Sequence, residues 1–214
     1  MPVCVHLDHG LTDEFVQRGI RAGFTSIMYD CSMLPTEDNV QRLRALVDQV
    51  GPLGITVEGE IGVMPSAQVD THGENDGAPR YTTPEEAARF ADQTKVDALA
   101  VCFGTSHGVY AKAPNLDIEQ LRQIRLAVRP ETSLVMHGSS GLSEDQLRSA
   151  VAAGCVKVNY YTYLAVEASA KAADIVESSS TPVYFHDLTD AVAGTMRQHA
   201  REVISLLQAP SSRG

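Results

Sequence analysis

The sequence is poor in cysteine, and its four cysteines form no Cys-x-x-Cys pair. Each one lies in or beside an apolar run, at Cys4, Cys31, Cys102 and Cys155. This pattern argues against disulfides and against a paired-cysteine metal site. It predicts reduced, partly buried thiols and favours a cytoplasmic protein.

Basic residues are also scarce. The chain has 17 Lys and Arg against 27 Asp and Glu, which gives a formal charge of −10. Such a charge opposes non-specific binding to nucleic acid or to an anionic membrane. An anionic substrate would need local binding groups, because the net negative charge of the chain repels it. We therefore expect neither nucleic acid nor membrane among the partners.

Long apolar runs are missing as well. No stretch is long enough to span a bilayer, and residues 1–5 do not begin a basic region followed by an apolar one, so no signal peptide is expected. With 214 residues, 43% of them hydrophobic, the chain can bury a substantial core. We expect one domain over residues 1–214.

Short β-rich runs alternate with amphipathic helical stretches along the chain. The runs predict six strands, at residues 3–7, 26–29, 55–60, 98–103, 133–136 and 155–160. Helices are predicted at residues 13–22, near 37–50, from Thr83, and at 116–128 and 143–153, with two more from Leu164 onward around an irregular segment at 178–187. A repeated βα unit of this kind indicates an α/β fold with a parallel sheet covered on both faces.

Six βα units are too few for a closed eight-stranded barrel, which needs at least about 200 residues and more often about 250. The chain therefore forms either an open doubly wound sheet or an incomplete TIM (β/α)8-type barrel that lacks the first two units. The chain starts directly on a strand that carries a candidate metal ligand. This favours the incomplete barrel.

Three histidines stand just past predicted strands, and a carboxylate precedes the first of them in His6-Leu7-Asp8-His9-Gly10. In a parallel barrel the carboxyl ends of all strands meet at one face, so His9, His107 and His137 can converge there. Three neutral imidazoles leave an open position on Zn²⁺, as in a catalytic site. Asp30 and Glu60 follow or end other strands, where they can bind metal or cap a helix. The remaining candidates, His72, His186 and His199, are expected to be surface or structural residues.

Five motifs occur in one order at barrel spacing. They are His6-Leu7-Asp8-His9-Gly10, Gly23-Phe24-Thr25-Ser26-Ile27-Met28-Tyr29-Asp30, Val57-Glu58-Gly59-Glu60-Ile61-Gly62, Gly104-Thr105-Ser106-His107-Gly108 and His137-Gly138-Ser139-Ser140-Gly141. On these motifs the chain resembles the class II, metal-dependent ketose-bisphosphate aldolases, from Pro2 to Leu164. The resemblance implies an eight-stranded barrel of which this chain begins at the third strand.

The resemblance also implies roles for individual residues. His9, His107 and His137 match the ligands of the catalytic zinc, and Asp8 matches the aspartate that moves the proton during carbon–carbon cleavage. Asp30 and Glu60 match carboxylates that hold a second or displaced metal ion. The positions that match the binding site for the phosphate and hydroxyls of dihydroxyacetone phosphate are Gly108, Gly138, Ser140, Asn159 and Thr162. Ser139 replaces a glycine in the phosphate turn and is expected to add a hydroxyl near the anion.

Further expectations follow from the same resemblance. The expected substrate is fructose or tagatose 1,6-bisphosphate, which is cleaved reversibly to dihydroxyacetone phosphate and glyceraldehyde 3-phosphate. A monovalent cation is expected near the phosphate. The expected assembly is a homo-oligomer, either a dimer or a tetramer. A second acid/base carboxylate is expected on the loop after Glu60, at Asp70, Glu74 or Asp76. Departures at residues 63–66, where the family has two glycines, and at Tyr160-Tyr161 leave the ketose unspecified.

Three rival interpretations stay open from the sequence. Lys157 shares a strand face with Asn159 and could form a Schiff base, although such an aldolase needs no histidine triad. A metal-dependent hydrolase on a similar barrel would use a zinc hydroxide, but the usual His-x-His pair is absent. A non-catalytic, metal-binding remnant of the aldolase family is the third.

Overall fold

The computed structural model describes residues 3–62, 80–110 and 112–208. Its strands are β1 His6–Gly10, β2 Ser26–Tyr29, β3 Thr56–Ile61, β4 Ala98–Val101, β5 Ser133–Met136 and β6 Cys155–Val158. Its helices are α1 Asp13–Arg21, α2 Thr36–Val50, α3 Pro84–Thr94, α4 Ile118–Ala127, α5 Glu144–Ala152, α6 Thr162–Ser178 and α7 Phe185–Leu207, with one 3-10 turn at Gly51–Leu53. The predicted alternation of strand and helix is confirmed.

All strand pairs are parallel, and the strands lie in the sheet in the order of the chain, β1 to β6. A doubly wound sheet would reverse its strand order at a switch point. The sequential order is that of a barrel wall. The prediction of an incomplete TIM-type barrel is therefore confirmed, and the doubly wound alternative is wrong.

The sheet is strongly curved. The ring nitrogens His9 Nε2, on β1, and His137 Nδ1, just after β5, are 3.0 Å apart. Neighbouring strands are about 4.8 Å apart, so in a flat sheet β1 and β5 would be separated by about 19 Å. The contact between the two rings requires the wall to curl around a common centre.

Three strands differ by at least two residues from their predicted bounds: the first, the last, and the central strand β4, which was predicted at residues 98–103 and ends at Val101. β1 was predicted at residues 3–7 but begins at His6, because Val3 is 86% exposed and pairing with β2 starts only at His6. β6 ends at Val158, two residues before the predicted end. Both are edge strands with one neighbour each among the described residues. At such an edge, apolar residues can form a surface that no neighbouring strand covers. The sequence pattern alone does not distinguish these residues from residues of a strand.

Helices α1, α3 and α5 begin where their capping residues predict. Thr12 accepts a hydrogen bond from the Phe15 amide at the start of α1, and Thr83 forms a reciprocal capping box with Glu86 at the start of α3. Ser143 and Gln146 form a second such box at α5. Each side chain satisfies amide groups that a helix leaves unpaired in its first turn.

The core lies between the sheet and helices α1 to α5. Each of these helices contributes at least one fully or almost fully buried side chain: Val16, Leu43, Phe90, Leu121 and Leu147. Helices α6 and α7 pack on each other, and each buries one residue, Ala168 and Val203. No helix in the described ranges is long and apolar enough to cross a membrane.

The cysteines are thiols, and three of them, Cys31, Cys102 and Cys155, are buried. Burial raises the pKa of Cys155 to about 12 and that of Cys31 to about 11, which keeps both protonated. Cys4 is exposed, in contrast to the prediction that all four are partly buried, although its Sγ lies 3.4 Å from the Thr25 hydroxyl and the neighbouring Val5 carbonyl accepts a bond from the Ser26 amide of β2.

Candidate active site

The structure brings His9, His107 and His137 together at the carboxyl-terminal face of the sheet. The three ring centroids are 4.8 to 5.7 Å apart, and one nitrogen of each ring lies within 4.8 Å of the others. His9 is in β1, and His107 and His137 lie after the ends of β4 and β5. His9 and His137 are 128 positions apart in the chain. Convergence of this kind is what a parallel barrel produces at its functional face.

A backbone irregularity at the end of β1 positions His9. The register between β1 and β2 shifts between Leu7 and Gly10, and His9 has a φ of +51°. Such a left-handed conformation is uncommon for residues other than glycine, and it concentrates at functional sites. In a regular strand Asp8 and His9 would point to opposite faces. The bulge instead allows both side chains to reach partners at the site.

Gly138 allows the loops after β4 and β5 to pack closely. It has a φ of +65°, and a Cβ atom there would lie 2.3 Å from the Ser106 carbonyl oxygen. Tyr110 ties the same loops together, because its hydroxyl accepts a 2.8 Å hydrogen bond from the Ser106 amide and donates a 2.7 Å bond to the Gly138 carbonyl. This contact holds His107 beside His137.

Asp30 lies behind His9. Its Oδ2 is 2.7 Å from His9 Nδ1, and its Oδ1 accepts bonds from the Ser32 amide and hydroxyl. Although burial opposes its charge, the bonds from His9 and Ser32 hold the pKa of Asp30 well below its ordinary value. Burial likewise opposes the charge of His9, and the bond to Asp30 still raises the pKa of its ring.

Glu60 is almost fully buried at the end of β3 and points toward the histidines. Within the described residues no hydrogen-bond donor reaches its Oε2, and the nearest recorded group, His137 Nδ1, is 3.7 Å away. Burial, then the charge of Asp30, raises the pKa of Glu60 to about 8. His9, Asp30 and Glu60 form a second group whose ligand atoms lie within 4.8 Å of one another.

Glu58 was given little weight from the sequence, yet it lies at the centre of the interior. Its Oε1 is 2.8 Å from His137 Nε2, and its Oε2 is 2.8 Å from Lys157 Nζ. Burial opposes its charge, but His137 and Lys157 lower the pKa of Glu58 to about 2. The only available signal was its spacing of two from Glu60, which places both side chains on one face of β3.

These contacts fit a bound divalent metal. Asp30 and Glu58 each accept a ring N–H, which leaves His9 Nε2 and His137 Nδ1 as acceptors that face each other at 3.0 Å. Two lone pairs at this distance require a proton or a metal cation between or beside them. The buried Glu60 oxygen adds an anionic donor. Three imidazoles with a carboxylate are a ligand set suited to zinc.

Asp8 and Asn159 meet across the interior. Asn159 Nδ2 donates a 2.9 Å hydrogen bond to Asp8 Oδ1, and Asn159 Oδ1 accepts a 2.6 Å bond from Lys157. The Asp8 side chain is 51% exposed and its nearer oxygen lies 4.0 Å from His9 Nε2. An accessible carboxylate thus stands next to the histidine cluster.

The predicted phosphate-binding residues lie in the loops after β4, β5 and β6. The Ser139 hydroxyl, expected near the anion, donates a 2.6 Å hydrogen bond to the Asn159 carbonyl, and the Ser140 hydroxyl accepts one of 3.1 Å from the Tyr161 amide. Gly108 has a φ of +91°, and Thr162 is the first residue of α6. The two serine side chains therefore join the loop after β5 to the loop after β6.

Other predicted residues lie elsewhere. His199 on α7 contacts Glu167 and the Tyr160 hydroxyl, and His186 is exposed. Lys157 forms an ion pair with Glu58 through Nζ, the atom that a Schiff base would use. The predictions for the loop carboxylates Asp70, Glu74 and Asp76, and those for His72 and residues 63–66, lie outside the described residues.

Comparison with known proteins gives consistent matches over almost the whole chain. Residues 1–210 match the family model of class-II fructose-bisphosphate aldolase. The uncharacterized protein YdjI of Escherichia coli K12 is 34% identical over 206 residues, which cover 96% of this chain and 71% of YdjI.

Solved structures agree with that match. The crystal structure of the YdjI aldolase superposes with a TM-score of 0.81 at 32% identity, covering 100% of this chain and 72% of that one. A proposed fructose-1,6-bisphosphate aldolase from Coccidioides immitis gives 0.84 at 27% identity, with 96% and 71% covered. Fructose-bisphosphate aldolase from Campylobacter jejuni gives 0.69 at 21% identity, with 97% and 71% covered, which shows the fold alone.

Proposed function

Because the chain belongs to the class II fructose-bisphosphate aldolase family, we propose that it is a zinc-dependent aldolase. The reaction is the reversible cleavage of a ketose 1,6-bisphosphate, fructose or tagatose, to dihydroxyacetone phosphate and glyceraldehyde 3-phosphate. The observation that carries the proposal is the cluster of His9, His107 and His137, which has the accessible carboxylate of Asp8 at its edge.

The three histidines would hold the catalytic ion, with Glu60 and Asp30 available for a second ion or a displaced one. A divalent metal held there supplies a Lewis acid for the negative charge that develops on the ketose oxygen as the carbon–carbon bond breaks. Asp30 keeps His9 oriented through its 2.7 Å hydrogen bond, so that Nε2 faces His137 and would be available to a metal.

Asp8 is the proposed acid/base. Breaking the carbon–carbon bond turns one substrate hydroxyl into an aldehyde, and Asp8 accepts the proton that this hydroxyl loses. In the reverse direction it returns the proton to the new hydroxyl. Asn159 occupies Oδ1 of Asp8 with its amide hydrogen bond, which fixes the carboxylate and leaves Oδ2 for the substrate.

The substrate phosphate would bind at the surface formed by Gly108, Gly138, Ser139, Ser140, Asn159 and Thr162. Thr162 begins α6, and the amides in the first turn of a helix favour an anion despite the chain's net charge of −10. A monovalent cation would add positive charge at the same place. Since Ser139 and Ser140 already bond neighbouring backbone groups, we propose that they shape this surface rather than bind through their hydroxyls alone.

We further propose a single-domain, cytoplasmic protein that assembles as a dimer or tetramer. Val156 on β6 is 72% exposed, and Val166 and Val176 on α6 are also exposed. Apolar surface of this kind is typical of protein contacts. The assembly is testable by light scattering across a range of protein concentrations.

The test of the function is cleavage of fructose and tagatose 1,6-bisphosphate by zinc-loaded protein, followed through the triose phosphates. We expect turnover that a chelator abolishes and added Zn²⁺ restores. Asp8→Asn should remove most of this turnover while zinc stays bound. Turnover that neither chelator nor Asp8→Asn affects would exclude the mechanism. Stoichiometric zinc binding without any turnover would favour a non-catalytic remnant, which the open six-stranded wall supports as a second candidate.

A further inference from the structure

We propose that Glu58 is a positioning residue for His137, which it holds in the orientation and tautomer that metal binding requires. The proposal rests on the metal site proposed above. His137 and Glu58 are each 1% exposed, so water cannot replace either partner. His137 Nε2 lies 2.8 Å from Glu58 Oε1 and 3.3 Å from Asn159 Nδ2, so the contact with Glu58 is the shorter of the two.

The geometry assigns the proton on the ring. An ionised carboxylate only accepts hydrogen bonds, so the short contact places the hydrogen on Nε2 of His137. Nδ1 is then unprotonated, and it is the nitrogen that lies 3.0 Å from His9 Nε2 and 3.7 Å from Glu60 Oε2. With the opposite tautomer the N–H would point into the cluster and block metal binding.

Lys157 keeps Glu58 in place. Its Nζ is 2.8 Å from Glu58 Oε2 on one side and 2.6 Å from Asn159 Oδ1 on the other. This ammonium group compensates the buried carboxylate, which alone would be costly to remove from water. His6 lies 3.6 Å from the same oxygen through Nε2, and its Nδ1 is 2.8 Å from the Ser26 hydroxyl. His6 Nε2 is too far from this oxygen for a hydrogen bond, so the carboxylate is held mainly by Lys157 on β6 and directed at His137.

The arrangement repeats the one at His9. Asp30 contacts the His9 nitrogen that faces away from the cluster, and Glu58 does the same for His137. A carboxylate behind a ligating histidine fixes the ring and increases its basicity, and removing such a group typically costs about 10- to 100-fold in metal affinity or activity. Among the described residues, Glu58 belongs to neither group of candidate metal ligands.

The first experiment compares Co²⁺ affinity, measured by the visible absorption of the bound ion, in wild type, Glu58→Gln and the control Thr132→Val. Thr132 is also fully buried and precedes β5, at the end away from His137, where its hydroxyl donates a 2.9 Å bond to the Val96 carbonyl. We expect Glu58→Gln to bind Co²⁺ about 10- to 100-fold more weakly. Thr132→Val should lower thermal stability and leave the affinity within about twofold, because it removes a buried hydrogen bond remote from the cluster.

The second experiment needs no variant of Glu58. Nitrogen-15 NMR of metal-free wild type at pH 8.5, with the signal assigned through His137→Gln, should show His137 protonated on Nε2 alone. Protonation on Nδ1, unchanged affinity in Glu58→Gln, or an equal loss in Thr132→Val would each overturn the role of Glu58. If wild type binds no Co²⁺, the proposed metal site itself fails, a result distinct from the other three.

Discussion

Asn159 Nδ2 donates a 2.9 Å hydrogen bond to Asp8 Oδ1, and this bond joins the loop after β6 to β1 across the open side of the sheet. The two residues are 151 positions apart. Five strand intervals would separate β1 and β6 by about 24 Å in a flat sheet. The bond therefore depends on the curl of the wall, and it couples the proposed acid/base to the fold.

Replacing Asp8 by Asn should leave the metal bound and remove most of the cleavage activity. The side chains have the same shape, and Oδ1 of the new amide can still accept the bond from Asn159, but an amide cannot take up the substrate proton. General acid/base groups typically contribute about 10²- to 10⁴-fold. Zinc content and turnover should be measured on the same preparation. Full turnover with one zinc per chain would remove Asp8 from the mechanism.

Gly138→Ala should destabilise the protein and weaken zinc binding. The new Cβ would approach the Ser106 carbonyl oxygen to 2.3 Å, and the residue would keep a φ of +65°. We expect a loss of more than about 1 kcal/mol in the free energy of unfolding, because the backbone conformation is incompatible with a side chain. The displaced Ser106 should also shift His107 away from His137.

Gly54→Ala is the matched control for this change. Gly54 has a φ of +71°, but a Cβ there meets nothing within 4 Å. It should show the conformational cost alone and leave zinc affinity unchanged. Urea unfolding and zinc titration of the two variants separate the two effects. Equal zinc affinity in both variants would mean that the close approach of Gly138 to Ser106 does not position His107.

The metal-free protein should lose stability as the pH rises from about 5 to 8. Burial raises the pKa of Glu60 to about 8, above its ordinary 4.5, so the folded state holds a proton that the unfolded state has already released. The stabilising contribution is complete below pH 4.5 and disappears as the pH passes through 8, with a slope of at most about 1.4 kcal/mol per pH unit for one group. His9, whose pKa is also raised, acts in the same direction, whereas His6, whose pKa is lowered by burial, acts in the opposite direction.

Thermal unfolding of metal-free wild type and Glu60→Gln between pH 5 and 8 checks this effect. The variant should show a flatter pH dependence, because its amide does not titrate. Saturating zinc should reverse the trend in wild type, since metal binding displaces the Glu60 proton and strengthens with pH. A wild-type protein that becomes more stable over this interval without metal would contradict the assignment.

Local sequence signals were sufficient for most of the fold. Ser26–Tyr29 and Ser133–Met136 are the strands that were predicted, and Thr12 and Ser143 cap the helices that they precede. Polar residues after strands were sufficient to nominate the three histidines. Contacts across the barrel interior could not be predicted in the same way, because they depend on curvature that no local pattern encodes.

Glu58, Ser139 and Cys4 illustrate that limit. From the sequence, Glu58 was one of two carboxylates on a strand, and only the approach of His137 and Lys157 gives it a role. Ser139 was expected to point at an anion, but its hydroxyl bonds the backbone of a loop 20 residues away. Cys4 lies just before the edge strand β1 and is exposed although its Sγ contacts the Thr25 hydroxyl, so its hydrophobic surroundings in sequence do not lead to burial.

The last prediction concerns the open side of the wall. β1 and β6 have one neighbouring strand each among the described residues, and Val3 and Val156 are mostly exposed beside them. Unpaired edge strands with apolar side chains favour aggregation and lower stability. The chain covers 71% or 72% of its relatives, and an eight-stranded barrel needs two βα units more than the six strands present.

We expect that about 70–80 residues carrying two such units, added before Met1, raise the melting temperature and the rate of bisphosphate cleavage. The control is the same addition with a proline in the middle of each added strand, which prevents pairing. Thermal unfolding and cleavage of both ketose bisphosphates, with zinc supplied, compare the three proteins. A 214-residue chain that is already a stable monomer with the full activity of the extended protein would contradict this prediction. The curled six-stranded wall, with the bond between Asn159 and Asp8, would then be sufficient to form the site.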